Sequence, residues 1–184
     1  GGNLTATAAD SILMKKISIG DKSADLTAGT AKNTEGNITA GSFTGNTLKA
    51  NAKGALTFNG GVTASGADKW KFATGEDAPA YAVVLEGASV SVNGSLTSTA
   101  GSIYVKSIGI GSSTDGDPDD IKDITIAGNL SAKDSSTLIS AANITVDGDV
   151  TGGALTATAG EAIQLKDISI GTKNAELTAT GSSI

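Results

Sequence analysis

Four aspartates near the middle of the chain are the residues best suited to bind a metal ion. Asp115, Asp117, Asp119 and Asp120 lie in the segment 112–120, which reads SSTDGDPDD. Alternating carboxylates around a glycine-containing bend can converge on Ca²⁺, which prefers several oxygen ligands. The EF-hand pattern with its terminal glutamate is absent, so an acidic loop that only interacts with solvent explains the same residues. The sequence therefore offers a candidate calcium site in this loop, and we expect that the protein requires no cofactor.

Residues for acid and base catalysis are harder to find. Asp147, Asp149 and Lys166 could be combined as in β-helix enzymes that cleave acidic polysaccharides. Such chemistry needs two titratable groups whose pKa values are pushed apart. The chain contains no Arg and no His, which removes the usual clamp for substrate carboxylates and the usual proton shuttle. We therefore expect that the protein is not an enzyme.

Threonine pairs are the third pattern with a chemical interpretation. They occur at Thr5/Thr7, Thr97/Thr99, Thr156/Thr158 and Thr178/Thr180. Stacked on one flat face, they would form an array that resembles the ice-binding face of some solenoid antifreeze proteins. Threonine is also favoured on the outer face of any strand because it is β-branched. Four pairs favour this simpler explanation, and an ice-binding solenoid stays as an alternative.

Composition excludes several classes of function. The net charge is −6 and all 13 basic residues are lysines, spread without basic clusters, which argues against binding to nucleic acid. No apolar run approaches the length of a membrane span. Cysteine is absent, so there is no disulfide framework and no thiolate chemistry.

The chain that carries these residues is built from repeated segments. Residues 152–181 match residues 1–30 at 18 of 30 ungapped positions. The shared formula is Gly-x-Leu-Thr-Ala-Thr-Ala, then Ile-x-Ile-Gly, then Leu-Thr-Ala, and looser copies occur between the two ends. Self-similarity of this kind indicates stacked supersecondary units.

Within each unit the hydrophobic period is two. Apolar residues alternate with Thr or Ser in Leu4–Ala8 and Ile144–Val146, as in half-buried strands, and Gly, Asn and Asp separate the strands. Equivalent leucines recur after 22 residues, from Leu4 to Leu26 and from Leu155 to Leu177. This spacing predicts an all-β chain wound as one parallel β-helix (β-solenoid) over 1–184, with about eight coils of about 18–25 residues. The alternative is an antiparallel β-sandwich.

Two segments interrupt the repeats. Residues 67–81 hold the only Trp and are predicted to be an aromatic insertion. Residues 112–120 are the acidic loop described above.

The run GNITAGSFTGNTLKANAKGALTFNGGVTASG, residues 36–66, resembles the repeats of haemagglutinin-type, autotransporter-like secreted β-helix adhesins. The resemblance implies a right-handed β-helix exposed outside the cell, with a structural or adhesive role. Cell-surface glycans or a host surface would then be partners. A calcium-dependent protein that binds or cleaves polysaccharide is the alternative.

The matching ends predict self-assembly, because a solenoid that finishes on a copy of its beginning can accept another copy head to tail. The same pattern is expected if the chain is a segment of a longer tandem polypeptide. The interface is predicted at ten apolar positions of the terminal repeats: Leu4, Ala6, Ile17, Ile19, Leu26, Leu155, Ala157, Ile168, Ile170 and Leu177. Together with the resemblance, this predicts an extracellular or cell-surface filament whose first partner is another copy of itself.

Overall fold

The computed structural model describes residues 2–29, 36–71, 79–108 and 123–181. Within these ranges the regular secondary structure is entirely β-strand, which confirms the all-β prediction. The described part of the chain has no helical segment of the length and hydrophobicity that a bilayer crossing requires.

The strands are defined as follows. In the first half of the chain they are β1 (Leu4–Ala8), β2 (Ile12–Ser18), β3 (Ala24–Ala28), β4 (Ile38–Gly45), β5 (Leu48–Ala52), β6 (Leu56–Phe58), β7 (Val62–Ala64), β8 (Trp70–Lys71) and β9 (Ala80–Tyr81). In the second half they are β10 (Val83–Gly87), β11 (Val90–Val92), β12 (Leu96–Ser98), β13 (Ile103–Ser107), β14 (Ile124–Ile126), β15 (Leu130–Ser140), β16 (Ile144–Ala159), β17 (Ile163–Ser169) and β18 (Ala175–Ala179).

Sixteen of the described strands form one sheet in which neighbours run parallel, and their pairs sort into three series that we call ladders. The first ladder contains β1, β3, β5, β10, β13, the second half of β15, the second half of β16, and β18. The second contains the first half of β2, the first half of β4, β6, β11, β14, and the starts of β16 and β17. The third contains the ends of β2 and β4, then β7, β12, the start of β15, the middle of β16 and the end of β17.

This topology is compatible with a β-solenoid, because the chain visits the three ladders in turn before it returns to the first. It contradicts the antiparallel sandwich, since only the separate two-stranded sheet of β8 and β9 is antiparallel among the described strands. Residues that follow each other on a ladder are often about twenty positions apart in sequence, as with Leu4 and Ala24. The predicted parallel stacking is therefore present.

The core lies between the three ladders and is built from files of inward side chains. On the first ladder, Leu26 stands between Ala6 and Ala50. On the third ladder, Leu96 stands between Val62 and Leu130. Leu26 and Leu96 are completely buried, and burying a leucine contributes about 1.5–3 kcal/mol. Each layer therefore removes from water the apolar surface of its neighbours.

The outward side chains of the third ladder form a continuous file of hydroxyls. Its members are register partners from strand to strand: Ser18, Thr44, Thr63, Thr97, Ser131, Thr151 and Ser169. Of the predicted threonine pairs, only Thr97 lies in this file. Thr5, Thr7, Thr156 and Thr158 lie on the first ladder instead. The four pairs therefore do not form one array.

The corners between ladders bring successive windings into contact. A Cβ atom added at Gly128 would lie 2.6 Å from the Ser95 backbone nitrogen and 2.7 Å from the Gly94 carbonyl carbon, so this corner has no space for a side chain. At other corners, asparagine side chains link neighbouring windings. Asn37 Oδ1 accepts the backbone N–H of Ala55 at 2.7 Å, and Asn129 Oδ1 accepts that of Asp149 at 3.0 Å.

Candidate functional site

The two ends of the stacked ladders are the strongest candidate for a functional surface. Within the described residues, the first ladder begins with β1 and ends with β18, whereas the other two ladders begin with β2 and end with β17. The outer edges of these terminal strands therefore pair with no other strand among the described residues. An unpaired edge can act as a template for pairing with another chain.

The ends repeat each other in structure as well as in sequence. In both repeats the first strand pairs with the third in the same register: Ala6 lies beside Leu26 and Ala157 beside Leu177. The turn before the third strand is also shared. The Lys22 N–H donates to the Ile19 carbonyl at 3.1 Å, and the Lys173 N–H donates to the Ile170 carbonyl at 3.1 Å.

Glycine makes this turn possible in both repeats. The φ angle is 59° at Gly20 and 61° at Gly171, a left-handed conformation that glycine adopts without steric cost. The sequence match therefore corresponds to two equivalent local structures at opposite ends of the fold.

The C-terminal end exposes an apolar groove of about 280 Å³. It is lined by Ile163, Gln164, Leu165, Ile168 and Leu177, so its walls come from β17 and β18. Ile168 is an inward-facing residue of the third ladder, yet it is 42% exposed, whereas the equivalent Ile17 is only 4% exposed. The groove is the apolar surface that a further layer would cover.

The ten predicted interface residues divide into two groups. Leu4, Ala6, Ile19, Ile170 and Leu177 are half-buried, and Ile168 is exposed, as expected for end positions. Ile17, Leu26, Leu155 and Ala157 are buried. Three of these lie within the first ladder: β1 covers Leu26, and β18 covers Leu155 and Ala157. The prediction did not include Leu165, which lines the groove, although it occupies the position equivalent to Met14 in the first repeat.

The predicted metal ligands Asp115, Asp117, Asp119 and Asp120 lie outside the described residues, as does the whole of the acidic loop, residues 112–120. Among the residues considered for catalysis, Asp149 contacts Lys166 at 3.6 Å in a solvent-exposed ion pair. Asp147 is exposed. Asp147 and Asp149 lie on β16 and Lys166 lies on β17, at the outer surface, where solvent screens the interaction between their charges.

A second candidate surface lies on the outer side of the first ladder, where the β8–β9 hairpin covers the sheet. Trp70 pairs with Tyr81 in the hairpin. Tyr81 packs with Val84 and Tyr104 of the sheet, the two tyrosine ring centroids being 5.1 Å apart. Burial, reinforced by the negative charge of Glu86 and by Tyr81, raises the pKa of Tyr104 above its ordinary value. This cluster fixes the hairpin on the ladder.

Beside the hairpin is a pocket of about 210 Å³ lined by Lys49, Asn51, Trp70, Lys71, Val84 and Glu86. Asn51 Nδ2 donates to Glu86 Oε2 at 2.7 Å. Lys49 Nζ lies 5.8 Å from the centroid of the Trp70 ring. The pocket therefore combines an aromatic face with amide, carboxylate and ammonium groups.

The resemblance to haemagglutinin-type adhesins rests on sequence motifs and stays a prediction. Comparisons with protein-family models, curated proteins and solved structures find no match to this chain.

Proposed function

We propose that this chain is a structural or adhesive element of an extracellular fibre, and that it winds as a parallel β-solenoid of seven complete coils followed by the first strand of an eighth. With neighbouring strands about 4.8 Å apart, such a rod would be about 35 Å long. The fibre would grow along the rod axis, either by head-to-tail stacking of copies or by continuation of the same winding in a longer tandem polypeptide.

The observation that carries the proposal is the repetition of the terminal unit at both ends of the rod. The first and last repeats share their strand register and the glycine turn before the third strand. The last repeat therefore leaves open the surface that, in the first repeat, is covered by the following coil. Heterologous contacts that do not close on themselves produce open filaments rather than rings.

Stacking of copies is tested by sedimentation velocity and negative-stain microscopy over a range of protein concentrations. We expect rods longer than a single chain at high concentration. Ile168→Asp, which places a charge in the end groove, should abolish them. Ile108→Asp is the matched control, because Ile108 is also 42% exposed but follows β13, away from both ends of the ladders. Dispersed monomers at the highest soluble concentration would contradict self-assembly.

The tandem route is tested by joining two copies covalently. Since residues 152–181 correspond to residues 1–30, fusing Gly181 of one copy to Ala31 of the next preserves the order of repeats. We expect one rod about twice as long, visible by small-angle X-ray scattering. Two rods joined flexibly would contradict continuous winding.

The pocket beside Trp70 supports a second candidate function, namely binding of a polysaccharide or cell-surface glycan along the side of the rod. A sugar ring has apolar C–H groups that pack on an aromatic face and hydroxyls that hydrogen-bond to amide and carboxylate groups. Trp70 is the only Trp, so its fluorescence reports directly on this pocket. A concentration-dependent change on titration with acidic oligosaccharides supports binding, and Trp70→Phe serves as the control for signal origin.

A further inference from the structure

The C-terminal end of the rod is stepped, whereas the N-terminal end is level. At the C-terminal end, β18 extends the first ladder one strand beyond β17, the last described strand of the other two ladders. At the N-terminal end, β1 and β2 belong to the same winding and begin all three ladders. This difference decides how two copies can meet.

Two intact copies do not fit together without a gap. If β1 of one copy pairs with β18 of another, β2 and β17 are left two strand spacings apart, about 10 Å. That distance is too long for backbone hydrogen bonds. The groove around Ile168 would stay uncovered, and only one of the three ladders would continue from copy to copy.

If β18 is moved aside, all three ladders end in the same winding, and a second copy can pair with all three. The winding formed by residues 155–169 is then the outermost layer, and it is the sequence equivalent of residues 4–18. We consider the register in which each residue of the second copy lies beside its sequence equivalent in the first copy, 151 positions later. This equivalent register places Ile12 beside Ile163 and Ile17 beside Ile168, so the files of inward side chains continue from one copy to the next. The same register places Lys16 beside Asp167, whose opposite charges attract, but also Lys15 beside Lys166 and Asp10 beside Glu161, whose like charges repel. The attraction between copies therefore rests on the apolar files rather than on these charges.

Displacing β1 instead is less favourable. In that arrangement β3 of the second copy would pair with β18, and the equivalent register would place Asp25 beside Glu176. Like charges on directly neighbouring positions are destabilising. This like-charge pair therefore favours the arrangement in which β18 moves.

The surroundings of β18 are consistent with its displacement. It pairs only with β16 among the described strands. Its residues are exposed except for Leu177 and Ala179, which are half-buried, and the preceding turn at 171–174 is exposed. Strands with few buried contacts open at the lowest free-energy cost.

We propose that the edge formed by residues 155–159 of β16 and by β17 is a docking surface for β1 and β2 of a second copy, and that β18 occupies part of this surface in the isolated chain. β18 thus acts as an intramolecular competitor, which is effective because it is tethered to the site it covers. This inference rests on the proposed head-to-tail assembly.

The first test is a chain that ends at Ser169 and therefore lacks β18. We expect it to form rods at a concentration at least about tenfold lower than the 184-residue chain, which corresponds to about 1.4 kcal/mol. Circular dichroism checks that the truncated chain keeps its β structure. An unchanged or higher concentration requirement for a folded truncated chain overturns the inference.

The second test locks β18 in place without removing it. Thr156 and Glu176 are register partners, and the chain has no other cysteines, so Thr156→Cys with Glu176→Cys can form one defined disulfide across neighbouring strands. We expect the oxidised protein to stay monomeric and the reduced protein to assemble. Thr63→Cys with Thr97→Cys, at a register pair in the middle of the third ladder and away from the docking surface, is the matched control and should assemble equally in both states.

The outcomes separate this inference from the proposed function. If the 184-residue chain forms rods and neither truncation nor the lock changes their formation, head-to-tail assembly stands and the role of β18 is wrong. If no form assembles, both are wrong. If the locked and reduced proteins assemble equally well, docking does not require displacement of β18.

Discussion

The layered interior makes one quantitative prediction that uses the internal repeat as its own control. Leu26 and Leu177 occupy equivalent positions in the two terminal repeats, and each lies beside an alanine of the preceding strand on the first ladder. They differ in what lies on the other side. β5 covers Leu26, whereas no described strand follows β18. Leu26→Ala and Leu177→Ala therefore make the same chemical change in two different environments.

The expected losses of stability follow from burial. Leu26 is completely buried, so its truncation removes the transfer free energy of the side chain and leaves an enclosed cavity, at a cost of about 3 kcal/mol. Leu177 is half-buried, and the space left by its truncation opens to solvent, so we expect about 1 kcal/mol. For a chain of this size, the loss at Leu26 corresponds to a decrease in Tm of about 6–12 °C.

The measurement is urea denaturation of the monomeric protein, followed by circular dichroism and by the fluorescence of Trp70. Because repeat proteins can lose their end units separately, the curves are fitted with a nearest-neighbour model as well as with two states. Equal losses for the two variants, or a larger loss for Leu177→Ala, would refute the claim that each layer is buried by its neighbours.

Three further predictions concern the corners, the aromatic cluster and the acidic loop. Gly128→Ala should destabilise the fold by about 1–3 kcal/mol in thermal denaturation because the added Cβ meets backbone of the neighbouring winding, whereas Gly2→Ala, with nothing within 4 Å, should have no effect. Tyr104 has a raised pKa in the folded state because burial disfavours its phenolate. Its contribution to the free energy of unfolding is therefore complete below the ordinary tyrosine pKa, and it is lost as the pH rises through the pKa of the folded state. Tyr104→Phe should therefore flatten the decrease in Tm above about pH 10, and an unchanged slope would contradict this. If the acidic loop binds calcium, millimolar Ca²⁺ should raise Tm and Asp117→Asn should remove the increase; an equal response from the variant would place the effect elsewhere.

The sequence determined the class of fold because its signals are local or repeated. Alternation of apolar residues with threonine in Leu4–Ala8 predicts a strand with one buried face, and the recurrence of this pattern predicts strands that stack on each other. The parallel sheet agrees with both predictions. The β8–β9 hairpin is inserted between strands of the ladders but forms a separate sheet. Because it does not interrupt the ladders, the repeated pattern could still be recognised in the sequence.

The register between neighbouring strands could not be predicted from the sequence. The repeat aligns Leu4 with Leu26, but the structure places Leu4 beside Ala24, two residues earlier. Leucine and alanine both fit the inward file, so side-chain type alone does not choose between the two alignments, and the length and geometry of each corner decide. The hydroxyl file from Ser18 to Ser169 could not be recognised in the sequence either, because its members are unevenly spaced along the chain.

The candidate interface shows the same division between sequence and tertiary structure. The match between residues 1–30 and 152–181 identified the two ends as related surfaces, because it concerns residue types alone. Only the tertiary structure determined that Leu155 and Ala157 are covered and that Ile168 and Leu165 line an open groove. Exposure depends on which strand lies in the next layer, and that neighbour is set by the winding of the whole chain rather than by the residues of the repeat.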